Sequence, residues 1–491
     1  MKRKKVKEII NKISVIFGFI FLISFGLFNA MVLYLDILPA KYLIVYLIVM
    51  GLIGFILFLF LFVKKFKKGI KIFSIILSFI LSIIFGIGSF YINRTYDFMG
   101  KVGSKDKMTE EYYIIVNKDS KIKKIEDLKG KYIGVFDEGI EIYEKAKEEL
   151  INKTSAKLIE NDSIEQMAKS ILNKKVDAIM MSATHKITIE DEIESFSSST
   201  KIIATLRIEV ENTDKVEASD LKIAKDVFTI YISGNDSYGD LLARGRSDVN
   251  MLATVNPKTH EILLVSIPRD YYVQLSGTTG YKDKLTHAGM YGVNMSILTL
   301  EDLLDIDIDY YIKVNFSTLI GVVDKIGGID VYSDASFIPW TDGSVTIKKG
   351  TMHMDGKTAL AFARERHAYL EGDRHRVQNQ QDVLMAIIEK MTNSTTLLTK
   401  YTSILDYLSN SFETNISTKD LTSLIKMQID KMPSWTFKSY NLNGSDSSNY
   451  TYSFGKQLLY VMEPDYTTVK TASNYINSMK DQESFEEIGI K

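Results

Sequence analysis

Arginines crowd one stretch of the chain, residues 359–381, which has the sequence ALAFARERHAYLEGDRHRVQNQQ. Arg364, Arg366, Arg374 and Arg376 lie within thirteen positions, directly after an apolar run. Arginine forks bind phosphate through paired hydrogen bonds, and helix N-termini bind it as well. The stretch therefore predicts a site for a multiply charged phosphate beside a buried element.

The backbone around Arg364 and Arg366 decides whether these two side chains act as a pair. In a strand they project to the same face, whereas in a helix they diverge by about 200°. The sequence leaves both alternatives open. Asp373 is expected to cap the N-terminus of a following helix, on which Arg376 and Gln380, four positions apart, share one face.

A second charged cluster surrounds two predicted strands. DVFTIYISG alternates apolar and polar residues, and VNMLATVNPKTHEILLVSIPRD is typical of two strands joined by a turn at Asn256 and Pro257. Charged residues flank these strands, and we expect them to meet at one rim of a sheet, where ligand sites concentrate: Asp236, Arg244, Arg246, Asp248, Arg269 and Asp270.

The acids of this cluster predict a metal ion. Asp236 and Asp248 suggest Mg²⁺ or Mn²⁺ bridging to the phosphate, because hard cations take oxygen ligands and typically combine one or two carboxylates with substrate phosphates. The competing interpretation is that arginines and carboxylates pair as surface salt bridges. We expect His287, His367 and His375 to be structural or to contact phosphate rather than to be catalytic.

Composition excludes several classes of site. The chain has 491 residues, no cysteine and a formal net charge of -1. Disulfides, thiolate metal sites and cysteine nucleophiles are therefore excluded. The near-neutral charge also argues against a nucleic-acid partner.

The first 95 residues are typical of a membrane anchor. Ile13–Leu35, Tyr42–Val63 and Ile70–Tyr91 each have about the 20 apolar residues that a membrane span needs. Basic segments precede the first span and join the second to the third, whereas the connector DILPAK carries only Lys41. Because basic residues collect on the cytoplasmic side, the N-terminus is predicted to be cytoplasmic and the chain after about Arg94 extracellular.

The remaining chain divides into two predicted domains, residues 105–218 and 224–480. In the first, strands such as YYIIVN alternate with helical stretches, which indicates an α/β domain similar to a lobe of a substrate-binding protein. We find no polar cluster that defines a pocket there, and we expect a structural or partner-docking accessory domain. The final segment, MKDQESFEEIGIK, is expected to be a charged mobile tail.

Four blocks in order carry a family resemblance: RSDVNMLATVNPKTHEILLVSIPRDYYV, DKLTHAGMYG, IDYYIKVNFSTLIGVVDKIGGIDVY and ALAFARERHAYLEGDRHRVQNQQ. Together they resemble the LytR-CpsA-Psr family, and the three-span anchor with an accessory domain is similar to its streptococcal capsule-associated CpsA members. The resemblance implies an α/β fold with a mixed central sheet flanked by helices and a hydrophobic tunnel, lined partly by NFSTLIGVVDKIGGI.

The same resemblance implies a cell-envelope phosphotransferase of Gram-positive bacteria. Such an enzyme moves a glycopolymer, a capsular polysaccharide or teichoic acid, from a polyprenyl-pyrophosphate carrier to peptidoglycan. Its implied partners are the lipid-linked glycan, peptidoglycan, the membrane and other capsule assembly proteins. Two alternatives stay open: a polyprenyl-pyrophosphate hydrolase, and a non-catalytic regulator or scaffold that binds capsule lipid intermediates.

Site roles follow from the resemblance position by position. Asp236 and Asp248 match the metal-site acids, and Asp373 matches a pocket acid. The residues around the pyrophosphate are Arg244, Arg269, Arg364, Arg366, Arg376 and Gln380. Of all these, Arg364, Arg366, Asp248 and Asp373 are expected to act in catalysis.

Overall fold

A computed structural model gives the fold of the protein. It describes residues 2–101, 107–137, 139–211, 216–235, 244–370, 372–393, 404, 407 and 411–490.

Three long apolar helices form the N-terminal part of the protein: α1 (Lys2–Leu35), α2 (Ala40–Phe62) and α3 (Lys68–Lys101). All three are long and apolar enough to cross a membrane, as the sequence predicts. Phe21 of α1 and Phe85 of α3 are buried between the helices, and most other large apolar side chains point outward. Outward apolar faces are what a lipid environment requires, so this part of the protein associates with a membrane.

The next part of the chain builds a five-stranded sheet with the order β3-β2-β4-β1-β5. Its strands are β1 (Lys107–Asn117), β2 (Tyr132–Val135), β3 (Lys157–Glu160), β4 (Ala178–Ser182) and β5 (Thr200–Glu211). The connecting helices are α4 (Glu141–Thr154), α5 (Ile164–Leu172), α6 (Ala183–Glu192) and α7 (Phe196–Ser199), with a 3₁₀ turn at Ile125–Leu128. Pairs β2/β3 and β2/β4 are parallel, whereas β1 is antiparallel to β4 and β5.

The second large sheet has six strands in the order β14-β11-β6-β7-β8-β15. The strands from residue 228 onward are β6 (Phe228–Asn235), β7 (Val249–Asn256), β8 (Glu261–Ile267), β9 (Tyr272–Val273), β10 (Asp283–Lys284), β11 (Tyr310–Asn315), β12 (Ile329–Ser333), β13 (Gly350–Met354), β14 (Glu413–Thr414), β15 (Thr436–Asn441), β16 (Gly444–Thr451) and β17 (Gly455–Pro464). β11 and β15 run parallel to their neighbours β6 and β8, while β6/β7 and β7/β8 are antiparallel. The predicted mixed sheet is confirmed.

Helices cover both faces of this sheet. They are α8 (Leu285–Ala288), α9 (Val293–Leu304), α10 (Phe316–Ile326), α11 (Gly356–Arg364), α12 (Asp373–Asn393), α13 (Thr418–Lys431), α14 (Tyr466–Lys480) and α15 (Phe485–Ile488), with a 3₁₀ turn at Gly289–Tyr291. Along β8, Leu263 and Val265 enter the core shared with α9 and α14, while Ile262 and Leu264 enter the opposite core beside α13. This alternation buries the sheet on both sides.

The hairpin β7–β8 has the predicted turn. The Asn256 side chain accepts hydrogen bonds from the backbone N–H groups of Lys258 (3.0 Å) and Thr259 (3.2 Å). An asparagine that satisfies turn amides in this way fixes the register of the two strands. The strand ends that carry Asp248 and Arg269 are thereby placed side by side.

The prediction of a mobile C-terminal tail is wrong. Phe485 and Ile490 are buried in the same core as Leu263, and Ser484 caps the short helix α15. The apolar residues within the charged sequence supply the burial that orders it. The core of this part of the chain therefore continues past residue 480.

The two sheets are joined by more than the connecting chain. Phe454 and Leu459, on the β16–β17 hairpin, are buried with Ile164 and Met167 of α5. Phe454 and Leu459, which follow the six-stranded sheet in the chain, thus complete the core of the five-stranded part. This packing ties the accessory unit to the unit that carries the charged clusters.

Candidate functional site

A cavity of about 170 Å³ lies at one end of the six-stranded sheet, between its strand ends and helices α10, α11 and α12. Its polar lining includes six residues of the predicted site: Asp248, Arg269, Arg364, Arg366, Arg376 and Gln380. The remaining lining is mainly apolar and includes Val314, Phe316, Leu319, Leu360, Val383, Leu384 and Ile387. The cavity therefore combines a cationic region with an apolar one.

The antiparallel register of β7 and β8 brings Asp248 to Arg269. Asn250 pairs with Ile267, so the residue before β7 lies beside the residues that follow β8. Arg269 Nη1 donates to Asp248 Oδ1 at 2.5 Å, and Arg269 Nε lies 3.5 Å from Asp270 Oδ2. Of the six residues predicted to meet at one rim of the sheet, the structure thus brings Asp248, Arg269 and Asp270 together.

Asp248 is buried and surrounded by positive charge. Burial alone would raise the pKa of its carboxyl, but Arg246, Arg269 and Arg376 together outweigh it and hold the pKa below the usual value. The group is therefore an anion at neutral pH. Its second oxygen, Oδ2, is buried and has no hydrogen-bond partner among the described residues.

The backbone from Arg364 to Arg366 is neither entirely strand nor entirely helix, the two alternatives that the sequence left open. Helix α11 ends at Arg364, and Glu365 has extended backbone angles (φ -70°, ψ 133°). Arg364 lies over the ring of Phe316, with its Cζ 4.3 Å from the centroid, a cation–π contact that orients the guanidinium. Both arginines line the cavity because the chain bends between them.

Glu365 fixes this bend, and sequence reasoning missed it. The side chain is 1% exposed. Its Oε1 accepts from the backbone N–H groups of Arg366 (2.9 Å), His367 (2.5 Å) and Ala368 (2.9 Å), and its Oε2 accepts from Trp340 N–H (2.7 Å). Burial by itself would raise the pKa of Glu365, but these four hydrogen bonds hold it below the usual value. The signal in the sequence was an acid isolated between two arginines.

Helix α12 divides its basic residues between two faces. Arg376 and Gln380 line the cavity, as their four-residue spacing predicts. Arg374 points elsewhere and donates to the carbonyl oxygen of Gly444 at 2.9 Å. His375 stacks on Tyr369, with ring centroids 3.4 Å apart.

The structure does not bring Arg244 to the cavity. Its Nε lies 3.3 Å from Oε1 of Glu110 on β1, and its carbonyl oxygen accepts from Thr184 at 2.9 Å. The arginine of this segment whose charge acts on Asp248 is Arg246. The two arginines are two positions apart, and the sequence alone did not separate an interface residue from a site residue.

For two predicted acids, Asp236 and Asp373, the structure does not describe the side chain. Asp236 lies outside the described residues. Asp373 is the first residue of α12, where the sequence predicts a helix to begin, but its side chain lies outside the description.

The residues present fit a divalent cation at one point. Asp248 Oδ2 is a buried carboxylate oxygen without a hydrogen-bond partner among the described residues, and it lines the cavity beside the arginines. In the described part of the chain, no group of three His, Asp or Glu side chains forms a ligand set. A single carboxylate oxygen suits Mg²⁺ shared with substrate phosphates rather than an ion held by protein alone.

The apolar part of the cavity draws on the segment expected to line a tunnel. Phe316 and Leu319 of α10 face the cavity. Val323, Ile326 and Ile329 from the same segment are instead buried in a core with α11 and α12. Phe316, Leu319, Val323 and Ile326 share one face of α10, so the start of that face lines the cavity and its end enters the core.

Two family models match parts of this chain. The model of the LytR_cpsA_psr family matches residues 193–472, more than half of the chain. A second family model, described as NMT1/THI5 like, matches residues 108–238, which include the five-stranded sheet.

Curated relatives match the part of the chain that holds the cavity. A polyisoprenyl-teichoic acid–peptidoglycan teichoic acid transferase, TagU of Bacillus cereus (strain AH820), is 37% identical over 207 residues, which are 42% of this chain and 66% of that protein. TagT of Bacillus subtilis (strain 168), named for the same activity, is 37% identical over 209 residues, 41% of this chain and 63% of that protein. The chain thus spans just under two thirds of the length of these relatives.

Among solved structures, the crystal structure of B. subtilis TagV is similar to this chain, with 32% identity and a TM-score of 0.45. The match covers 52% of this chain and 98% of TagV. Because the family model spans more than half of the sequence, including every placed residue of the cavity, the protein belongs to the LytR-CpsA-Psr family.

Proposed function

We propose that this protein is a phosphotransferase that moves a glycopolymer, a teichoic acid or capsular polysaccharide, from a polyprenyl-pyrophosphate carrier to peptidoglycan. One observation carries the proposal: a single cavity places Arg269, Arg364, Arg366 and Arg376 beside an apolar lining. A ligand that satisfies both parts must have a polyanionic head and an apolar tail. A polyprenyl diphosphate is such a molecule, and the relatives TagU and TagT are named for polyisoprenyl-linked substrates.

Along helix α12, the lining of the cavity changes from polar to apolar. Arg376 and Gln380 lie in its first half, and Leu384 and Ile387 lie further along. At 1.5 Å per residue, Arg376 and Ile387 are about 16 Å apart along the helix axis. The diphosphate is therefore expected at the N-terminal end of α12 and the polyprenyl chain towards its middle.

The reaction is a displacement at phosphorus. A peptidoglycan hydroxyl attacks the sugar-side phosphorus of the carrier and forms a new P–O bond. The bond from that phosphorus to the bridging oxygen breaks, polyprenyl phosphate leaves, and the hydroxyl proton passes to a base or to solvent. Asp248 and Asp373 are the candidate bases.

The arginines supply most of the stabilisation in this scheme. Charge on the diphosphate shifts to the bridging oxygen as the bond breaks, and guanidinium groups held in place act on it without reorganising. Arg364 is oriented by Phe316, and the backbone before Arg366 is fixed by Glu365. Both arginines are thus held before substrate arrives.

We further propose that Mg²⁺, or Mn²⁺ in its place, assists at this site. Asp248 would hold the ion through its second oxygen, with Asp236 as the further acid that the family resemblance implies. When bound, the cation would neutralise part of the charge on the phosphates.

The orientation that fits this function puts the cavity outside the cell. The predicted cytoplasmic N-terminus and three spans support it, because peptidoglycan and its lipid-linked donors meet at the outer face of the membrane. Other capsule or wall assembly proteins remain predicted partners.

A transfer assay tests the proposal. The full chain in lipid nanodiscs is given a synthetic polyprenyl-pyrophosphate glycan, Mg²⁺ and peptidoglycan fragments, and the products are identified by mass spectrometry. A phosphate-linked glycan–peptidoglycan adduct is expected. Free sugar phosphate with polyprenyl phosphate would instead indicate the hydrolase, and lipid binding without turnover would indicate the scaffold.

A further inference from the structure

The connector between the first two membrane helices touches α13 of the six-stranded unit. Asp36 Oδ2 lies 2.6 Å from Lys426 Nζ, and Lys41 Nζ lies 2.8 Å from Asp430 Oδ1. Lys41 Nζ also donates to the backbone carbonyl oxygen of Asp430 at 2.8 Å. The two ion pairs have opposite polarity, so the connector and the helix are complementary in charge over four residues.

This contact lies at the end of the membrane bundle from which the rest of the chain emerges. Tyr34 near the end of α1 packs against Tyr96 near the end of α3, with ring centroids 5.4 Å apart. The connector, residues 36–41, follows directly after α1, and its last two residues begin α2. The contact with α13 therefore lies at the end of the three-helix bundle that faces the two sheets.

We propose that α13 is a membrane-surface docking helix, which the connector at residues 36–41 holds against the outer face of the bilayer so that the cavity has a fixed orientation to the lipid. Met432, directly after α13, is 75% exposed, and in the proposed orientation this side chain meets lipid. The inference concerns placement and does not depend on the reaction.

Contacts continue from the docking helix to the cavity. Leu421 and Leu424, on the other side of α13, pack against the core that also receives Leu384 of α12. Leu384 lines the apolar part of the cavity. One core thus connects the docking helix to the apolar part of the cavity, and, if the proposed function holds, we expect the polyprenyl chain to enter this part from the outer leaflet.

The two ion pairs are expected to select an orientation rather than to add much binding free energy. Their side chains are 30–67% exposed, and exposed pairs are individually weak. Both partners belong to one chain, however, so the effective concentration is high and a weak contact still selects one orientation.

Cross-linking in membranes tests the docking. The chain has no cysteine, so introduced pairs are the only thiols. Asp36→Cys/Lys426→Cys leaves the second ion pair intact, and Lys41→Cys/Asp430→Cys leaves the first intact. With the full chain in nanodiscs and a short bifunctional thiol reagent, both pairs are expected to cross-link within one chain.

Asp36→Cys/Lys470→Cys is the matched control, because Lys470 is an exposed lysine on α14, which covers the opposite face of the sheet. Cross-linking of both test pairs no faster than the control would overturn the docking. Cross-linked dimers would overturn it as well, since they would place the contact between two copies.

A depth measurement provides an independent readout. A spin label on Met432→Cys is expected to be more accessible to lipid-dissolved oxygen than to a water-soluble paramagnetic reagent, whereas a label on Lys470→Cys should show the reverse. Equal water accessibility at the two positions would contradict the proposal. Neither readout uses activity, so a failure of docking is distinguishable from a failure of the proposed function.

Discussion

Charged side chains are paired differently in the two sheet-containing parts of this protein. In the five-stranded unit, charged side chains are matched locally, as in the pair of Arg207 and Glu111 at 2.8 Å and several lysine–glutamate pairs one helical turn apart. At the end of the six-stranded sheet, four arginines and one carboxylate, Asp248, line a single cavity. Local matching indicates structure, whereas an excess of one sign in a concave site indicates a ligand of the opposite sign.

The strongest test of this comparison removes one cavity arginine. Arg364→Ala should lower transfer by about 100-fold or more, because a preoriented charge near the reacting phosphate is lost. Arg374→Ala is the matched control, since Arg374 bonds Gly444 outside the cavity, and it should keep near-normal rates. Circular dichroism checks that both variants are folded, and equal losses in the two would remove the distinction.

A second test compares the effects of removing Arg246 and Arg244 on transfer. Arg246→Ala should lower transfer by about tenfold, since the charge of Arg246 acts on Asp248. Arg244→Ala should change the rate by less than about twofold and should instead loosen the two units, because it removes the ion pair between Arg244 and buried Glu110. Rates and limited proteolysis distinguish the two effects, and the opposite ranking would return Arg244 to the site.

Glu365→Gln tests whether a buried acid positions the arginines. The amide no longer offers two anionic oxygens to four backbone N–H groups, so we expect a stability loss of about 1–3 kcal/mol. Transfer should fall by about tenfold, mainly through kcat, because Arg366 loses its fixed backbone. An unchanged kcat with reduced stability would make Glu365 purely structural.

The same residue predicts a pH dependence. The pKa of Glu365 is lowered in the folded protein, so its contribution to stability is complete above the unfolded value of about 4.3 and is lost as pH falls through the folded pKa. The difference in unfolding free energy between the parent and Glu365→Gln should therefore be constant near neutral pH and shrink below about pH 4. Denaturant titrations across that range measure it.

The smallest expected effect is at the apolar part of the cavity. Ile387→Ala removes apolar groups that line the cavity and should weaken binding of a long-chain polyprenyl donor by about threefold to tenfold. A donor with a shortened chain that does not reach Ile387 should bind the parent and the variant equally. Equal losses with both donors would show that this part of the cavity does not hold the chain.

Much of the fold was readable from the sequence because its signals are local. Apolar length predicted the membrane helices, and alternation predicted β6. The strand–turn–strand pattern predicted β7 and β8, with Asn256 at their turn. The pairing of Arg364 and Arg366 was not readable, because neither a pure strand nor a pure helix describes a chain that bends at Glu365.

The site residues that were missed depend on contacts between distant parts of the chain. Nothing local separates Arg244 from Arg246, since Glu110 lies more than a hundred residues away. The terminal segment looked like a solvated tail because charges dominate it, yet Phe485 and Ile490 were enough to anchor it in the core.

The central claim is that the cavity transfers a sugar phosphate and does not only bind or hydrolyse the carrier. An oxygen isotope placed in the non-bridging oxygens of the sugar-side phosphate of the donor tests this most directly, because the bridging oxygen leaves with the lipid. The full chain in nanodiscs is used, with mass spectrometry of all products. We predict that the label appears in the glycan–peptidoglycan product while unlabelled polyprenyl phosphate is released. Label that remains on the lipid, or that appears only in free sugar phosphate, would contradict the account.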